Sequence, residues 1–439
     1  MQQYYSAVTP YKVTQPAWTK YGVIYQINTR QFSQQGNFQG VIDGLDRIAG
    51  LGVNCIWLMP IQPIGQMNRK GELGSPYAVK DYYGINPEFG SKSDFKRLVK
   101  EAHKRGLKVL IDWVPNHSAW DCDLVEKHPS WYAKDYKGDF RPSPWWDWSD
   151  IIEFDYAKPE LREYMVNAMV YWVETFDIDG FRCDVAGYVP NDFWYQARQA
   201  LDAIKPIFLL AEWEDRDLHE RAFNMSYAWS WNETMHEVAH EKCALDRLRK
   251  YYSWNERAWP DNALRMTFVS NHDKNAWDGT QHEQFKEALP AAIVLSVLGE
   301  GMPLIHNGQE AGETKRLAFF ERDPIEWQSH EIGQLYSDLI RFKKSVPALA
   351  NGQYGGTMIQ VPNTQMDAIF SFVRMDEGQK VFIVLNLSSK TVECEFKEPL
   401  FEGQYKQWNA QTPVNLSAGK TERFEPWSYA IWISTDVAG

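Results

Sequence analysis

The sequence predicts an α/β protein built as a TIM-type (β/α)8 barrel, with a short insert after the third strand and a C-terminal antiparallel β-sandwich. Three observations point to this. Continuous apolar runs alternate with amphipathic helical segments up to about residue 345, and strands of a parallel barrel read as such runs because both faces are covered. Beyond that point helical periodicity stops, and short alternating segments divided by turn residues replace it. The length, 439 residues, is ample for a large barrel plus an appendage.

The elements follow in order. Barrel strands are expected at VIYQIN (23–28), VNCIWLMP (53–60), LKVLIDWV (107–114), IDGFRCD (178–184), PIFLLAE (206–212), SYAWSW (226–231), LRMTFVSN (264–271) and MPLIHNG (302–308). Helices are expected between them. SDFKRLVKEAHKRG (93–106) and PELREYMVNAMVYWVETF (159–176) carry apolar residues at three-to-four spacing after a serine-aspartate or proline start. About 40 residues separate His117 from the next helix, long for a loop and short for a domain, so an insert is expected at about 118–157. AIFSFVRM (368–375), KVFIVLNL (380–387) and TVECEFK (391–397) alternate with period two and predict the sandwich. The expected domains are a barrel over 1–346 and a sandwich over 347–439.

Composition narrows the partners. With 44% hydrophobic and 24% charged residues the chain reads as an ordinary globular protein. A net charge of -12 repels nucleic acid and anionic membranes. Five scattered cysteines without a C-x-x-C pair argue against a disulfide framework, and the start, MQQYYSAVTP, lacks the basic and apolar regions of a signal peptide; both give a cytoplasmic expectation. Aromatic residues reach 15%, and PWWDWSD places Trp145, Trp146 and Trp148 among polar groups. Flat rings beside polar groups suit a sugar, although core packing accounts for most single tryptophans.

Reactive groups of such a barrel project from the C-terminal ends of its strands. The third strand ends in Asp112, Asn116 and His117, the fourth in Arg182 and Asp184, the fifth in Glu212, and the seventh in Asn271, His272 and Asp273. Each alone reads as a structural ion pair or a solvated loop residue. Together they gather three carboxylates at one mouth, an electrostatic cost that a functional site explains. Glycoside cleavage needs this pattern: one carboxylate to attack the anomeric carbon and one, kept protonated, to protonate the leaving oxygen. Arg182, two residues before Asp184 on a strand, points the same way and holds it ionised.

At DWVPNH (112–117), GFRCD (180–184), LLAE (209–212) and FVSNHD (268–273) the chain resembles the α-amylase family of retaining α-glucan-active enzymes. LGVNCIWLMPI (51–61), SPYAVKDYYGINPEFG (75–90) and GMPLIHNGQE (301–310) extend the resemblance. It implies Asp184 as nucleophile, Glu212 as general acid/base and Asp273 as the carboxylate that holds sugar hydroxyls. It also implies that Arg182, His117, His272, Tyr77 and Asn271 bind the reacting sugar, while Asp81 beside Tyr82 is structural. The implied substrate is an α-1,4-linked α-glucan or maltooligosaccharide, cleaved through a covalent glycosyl-enzyme intermediate. No cofactor is required. The family often carries calcium near the residue matching Asn116, which here reads as a local hydrogen-bonding residue.

Two departures qualify the resemblance. Where many members carry lysine or histidine three and four residues after the nucleophile, this chain has Gly187 and Tyr188, so its acceptor side differs. HEVAH (236–240) also matches the zinc-protease pattern H-E-x-x-H, with Glu256 downstream as a conceivable third ligand. It falls on the expected sixth outer helix, away from the strand ends, and leaves the three carboxylates unexplained. The same barrel could also be a catalytically dead carbohydrate-binding protein, or an α-glucan transglycosylase that uses the same residues.

Overall fold

Eight parallel strands close into a barrel in chain order: β1 (Ile24–Ile27), β2 (Cys55–Leu58), β3 (Lys108–Trp113), β4 (Gly180–Cys183), β5 (Phe208–Ala211), β6 (Met225–Tyr227), β7 (Leu264–Thr267) and β8 (Met302–His306), with β8 pairing back to β1. The structure is a computed structural model and describes residues 13–376, 378–410 and 412–435. The ends of the expected domains, 1–12 and 436–439, lie outside the described residues. Among the described residues no helix is long and apolar enough to cross a membrane.

Period two along each strand explains how the barrel carries a site. Inward-facing Ile24, Cys55, Trp57, Leu110, Phe208, Leu210, Met225, Leu264, Met266, Met302 and Leu304 fill the interior as one buried apolar cluster. Two residues further along the same faces the sequence turns polar: Leu110 gives way to Asp112, Leu210 to Glu212, Ile24 to Gln26 and Leu304 to His306. On β4 the face reads Gly180, Arg182, Asp184. A Cβ at Gly180 would strike the Phe208 carbonyl, so glycine lets β4 and β5 approach closely beneath the arginine.

Local chemistry sets the flanking helices. Lys92–Lys104 starts with a capping box between Ser91 and Asp94, and Pro159–Phe176 has proline in its first turn and Asp177 left-handed at its end. The sixth strand differs from expectation: it ends at Tyr227, and Trp229–Ala239 is a helix. Trp231, Met235 and Val238 bury at helical spacing, and Glu214 accepts from Ser230 N at 2.9 Å and Ser230 Oγ at 2.6 Å at the helix start. The tertiary partner Glu214 thus overrides an aromatic run that suits a strand.

The segment after β3 forms a small antiparallel ladder, His117–Ala119 against Ile151–Glu153, with a short helix Asp123–Lys127 between them. Toward the C-terminus come β9 (Met358–Gln360), β10 (Ile369–Asp376), β11 (Gln379–Asn386), β12 (Val392–Glu395), β13 (Gly403–Gln407), β14 (Pro413–Leu416), β15 (Thr421–Phe424) and β16 (Tyr429–Ser434). They make a six-stranded antiparallel sheet, β9-β10-β11-β16-β13-β14, and a two-stranded sheet, β12-β15. Val373, Phe382, Cys394, Phe396, Phe424 and Trp432 share one core between them. Arg374 on β10 is fully buried and donates to the carbonyls of Gly299 at 3.2 Å and Ala350 at 2.7 Å, placing a cation at the C-terminal end of helix Leu289–Leu298 and tying sheet to barrel.

Candidate active site

Arg182 is the centre of the barrel mouth. Its side chain is fully buried, and Nη1 donates to Asp112 Oδ1 and to Asp184 Oδ1, each at 2.8 Å. Nη2 lies 2.8 Å from Glu212 Oε1, and Nε donates to the Tyr227 hydroxyl at 3.2 Å. The rings of Trp57, Tyr77 and Tyr227 surround the guanidinium at 5.1–5.7 Å. The carboxyl groups of Asp184 and Glu212, from the ends of two neighbouring strands, therefore meet on one fork.

Asp273 is close enough for its charge to act on both Asp184 and Glu212. Its Oδ2 is 3.3 Å from His272 Nε2, and His117 Nε2 is 3.9 Å from Asp184 Oδ2. One chain of hydrogen bonds fixes these rings. Gln26 Oε1 accepts from His272 N at 3.2 Å, which leaves the Gln26 amide nitrogen facing His272 Nδ1 at 2.6 Å. Nδ1 is then the acceptor, and the proton sits on Nε2, 2.9 Å from the Tyr77 hydroxyl. Tyr77 in turn donates to Asp112 Oδ2 at 3.0 Å, where Trp57 Nε1 also donates at 3.2 Å.

Electrostatics follow from burial. Desolvation pushes Glu212 up to about 8 against the pull of Arg182, with the charges of Asp184 and Asp273 adding to the rise. Asp184 is raised to about 7, again by burial and against Arg182, with Asp112 and Asp273 as further repulsion. Burial also raises Asp112 to about 7 and raises Asp273. One guanidinium cannot neutralise so many carboxylates, so the cluster retains protons into the neutral range. Burial lowers His117 to about 4 and drives His272 well below its ordinary value, keeping both rings neutral.

Of the expected site residues, Asp184, Glu212, Asp273, Arg182, His117, His272 and Tyr77 come together. Asn271 is fully buried, and its side-chain oxygen accepts from Lys274 N at 2.8 Å, holding the turn after β7. Asp81 accepts from Tyr83 N at 2.9 Å in a local turn. Asn116 turns its amide toward His117 Nδ1 at 3.2 Å. Among the described residues no three His, Cys, Asp or Glu side chains gather to hold a metal ion.

Three contributors escape sequence reasoning. Gln26, a lone polar residue in VIYQIN, sets the His272 tautomer, and Trp57 helps hold Asp112. Val185, just after Asp184, has a left-handed backbone (φ 36, ψ 48), rare for a β-branched residue and worth about 1–3 kcal/mol of strain. That turn aims Val185 N at Glu212 Oε2, 2.7 Å away.

The surroundings of Gly187 and Tyr188, where the resemblance implies the acceptor side, are aromatic. A Cβ at Gly187 would fall inside the Trp213 indole, so glycine makes room for that ring beside Glu212. Tyr188 packs on Trp213 at 5.1 Å and accepts from Trp146 Nε1 at 3.2 Å; Trp146 stacks on Trp148, whose ring is 5.9 Å from His117. Gly187→Ala is expected to displace Trp213 and raise KM more than it lowers kcat, which steady-state kinetics on maltotriose would read.

In HEVAH the His236 and His240 rings lie 4.7 Å apart, as i,i+4 spacing requires. Their surroundings are structural: His240 Nε2 is 3.1 Å from the Gln284 carbonyl, and Glu237 pairs with Arg247.

Comparison with known proteins gives the chain a family. The alpha-amylase catalytic-domain profile matches residues 24–153 and 145–345. A maltogenic alpha-amylase of Bacillus acidopullulyticus is 30% identical over 413 residues, covering 88% of this chain and 68% of that one. Alpha-amylase MalA of Haloarcula japonica is 28% identical over 85% of this chain, which spans 56% of its length. A noncanonic maltogenic alpha-amylase, AmyB of Thermotoga neapolitana, superposes with a TM-score of 0.86 at 33% identity, covering 94% of this chain and 99% of its own.

Proposed function

Because the chain belongs to the alpha-amylase family of glycoside hydrolases, we propose that it cleaves α-1,4-glucosidic bonds of maltooligosaccharides and related α-glucans with retention of configuration. The observation that carries this reading is the pair of carboxyl groups, Asp184 and Glu212, held on the single guanidinium of Arg182 with Asp273 beside them. In the proposed reaction Asp184 Oδ2, whose companion oxygen is engaged by Arg182, attacks the anomeric carbon. Glu212 gives its proton to the leaving oxygen, then takes one from the water that opens the glycosyl-enzyme. Neutral His117, His272 and Tyr77 bind hydroxyls of the reacting glucose, with Asp273 as a charged acceptor. These steps use no metal. All five cysteines are unpaired, which suits a reducing compartment and supports a cytoplasmic setting.

A time course of product sizes from starch, pullulan, cyclodextrin and maltotriose tests the proposal; no release from any of them defeats it. The pH profile tests the acid. Glu212 is raised, so its proton is present below about pH 8 and lost above it. An alkaline limb of kcat/KM near that value is expected.

A second reading, transfer to a sugar acceptor, draws support from the wall of Trp213, Tyr188 and Trp146. Stacked rings hold an incoming sugar where water has little to bind. Oligomers longer than maltotriose, formed from maltotriose and reduced several-fold in Tyr188→Ala, are the expected sign of transfer; glucose and maltose alone mean hydrolysis.

A further inference from the structure

The two histidines of HEVAH stand outside the catalytic cluster. His236 lies in the last turn of the helix Trp229–Ala239, and His240 is its C-cap. Residues i and i+4 share one helix face, and here the two imidazole centroids are 4.7 Å apart. An imidazole nitrogen binds a zinc ion at about 2.0–2.1 Å, which puts two ring centroids on one ion about 4.5–5.2 Å apart at bond angles of about 90–110°. The observed spacing falls within that span. A second pair, His282 and His330, is 6.4 Å apart and falls outside it.

Each ring is prepared for ligation. His240 Nε2 is 3.1 Å from the Gln284 carbonyl, which can only accept, so Nε2 carries the proton and Nδ1 the lone pair. A backbone carbonyl on the far nitrogen is the kind of partner that orients metal-bound histidines. The half-buried His236 ring touches His240 and, at 6.5 Å, Phe285, and makes no side-chain hydrogen bond among the described residues. Burial, helped by His240, Lys274 and Lys242, holds His236 below its ordinary value against the pull of Asp278. The ring is therefore neutral near pH 7. A neutral ring gains nothing from the negative end of a helix, the usual reason for histidine in a last turn. It does keep the lone pair that a metal ion requires.

We propose that His236 and His240 form an exchangeable two-imidazole site for a divalent transition-metal ion of the class Zn²⁺, Ni²⁺ and Cu²⁺, which imidazole suits. Glu237 is paired with Arg247, and among the described residues no third His, Cys, Asp or Glu side chain completes a cage. Water fills the remaining positions, so the ion exchanges readily, unlike a structural zinc with four protein ligands. Lys242 and Lys274, whose charges act on His236, oppose a dication and limit the affinity further. The bound ion fastens the C-cap to the turn before it. It thus binds the folded helix and stabilises it. Neither ring belongs to the proposed catalytic set, so the ion is detected by binding and not by turnover.

Calorimetric titration of the tag-free full chain with ZnCl₂ is expected to show a single saturable site of micromolar affinity. His236→Ala and His240→Ala, changes at partly exposed side chains, should each weaken it by about tenfold or more. Cys243→Ser, which removes the one cysteine that is not buried, should leave it unchanged. Excess ZnCl₂ should raise the melting temperature of the unmodified protein and of neither histidine variant. Cu²⁺ bound in place of zinc should show two imidazole nitrogens by pulsed EPR. No saturable binding by the unmodified protein overturns the proposal, as does binding that survives both histidine substitutions or is lost in Cys243→Ser. The EPR signature is read on the unmodified chain, so it decides even where a substitution disturbs the fold: fewer than two imidazoles overturns the site.

Discussion

Asp184→Asn is expected to lower kcat/KM on maltotriose by about 10⁴-fold or more, with the fold intact. The amide keeps the shape of the carboxylate, and Arg182 Nη1 can still donate to its oxygen, but it is too weak a nucleophile to form the glycosyl-enzyme. Glu212→Gln should cost about 10²–10⁴-fold on substrates whose leaving sugar needs a proton. On α-maltosyl fluoride, whose fluoride leaves without protonation, much of that loss should disappear for Glu212→Gln and none of it for Asp184→Asn. Equal losses on both substrates would sink the division of roles. The same substitutions should not reduce stability. A carboxyl raised by burial is penalised as pH climbs from the ordinary carboxylate range through its folded value, about 7 for Asp184. Thermal melts should therefore show Asp184→Asn equal to the unmodified protein near pH 4 and more stable near pH 8.

Arg182→Leu is expected to have the largest effect on the fold. It leaves Asp112, Asp184 and Glu212 buried around an apolar side chain, and breaking a buried ion pair in this way costs about 3–5 kcal/mol. Without the cation the carboxylates take up protons more readily, so the variant should regain stability as pH falls from 8 toward 5, measured by urea unfolding. Activity should be absent throughout. Arg182→Lys keeps the charge but not the planar fork that holds Asp112 and Asp184 on one nitrogen and Glu212 on the other, so it should recover stability more than turnover. An Arg182→Leu protein as stable as the unmodified one at pH 8 would show that the cluster does not need its counter-ion.

Much of the site is legible along the chain because a barrel strand has period two. Once LKVLID, GFRCD and FLLAE read as buried parallel strands, Asp112, Arg182, Asp184 and Glu212 must share the interior face with the apolar residues two places before them. His272 and Asp273 lie beyond the end of β7 at Thr267, and it is the FVSNHD motif, not strand period, that makes them visible. The sixth strand is harder to read: SYAWSW has the aromatic content of a strand, yet Trp231, Met235 and Val238 suit a helix. The choice is made by Glu214, distant in the pattern, at the helix start.

What the sequence determined by itself is the barrel, the C-terminal sheets and the set of groups that gather at the mouth, because periodic burial acts through near neighbours along the chain. What only the tertiary structure decided is how those groups are held and what surrounds them. Gln26 meets His272 across 246 residues and fixes its tautomer, the left-handed turn at Val185 joins the ends of β4 and β5, and Lys70 meets Asp147, tying the loop after β2 to the insert. Such contacts depend on where separate loops arrive in space, and no local pattern of residues encodes that meeting.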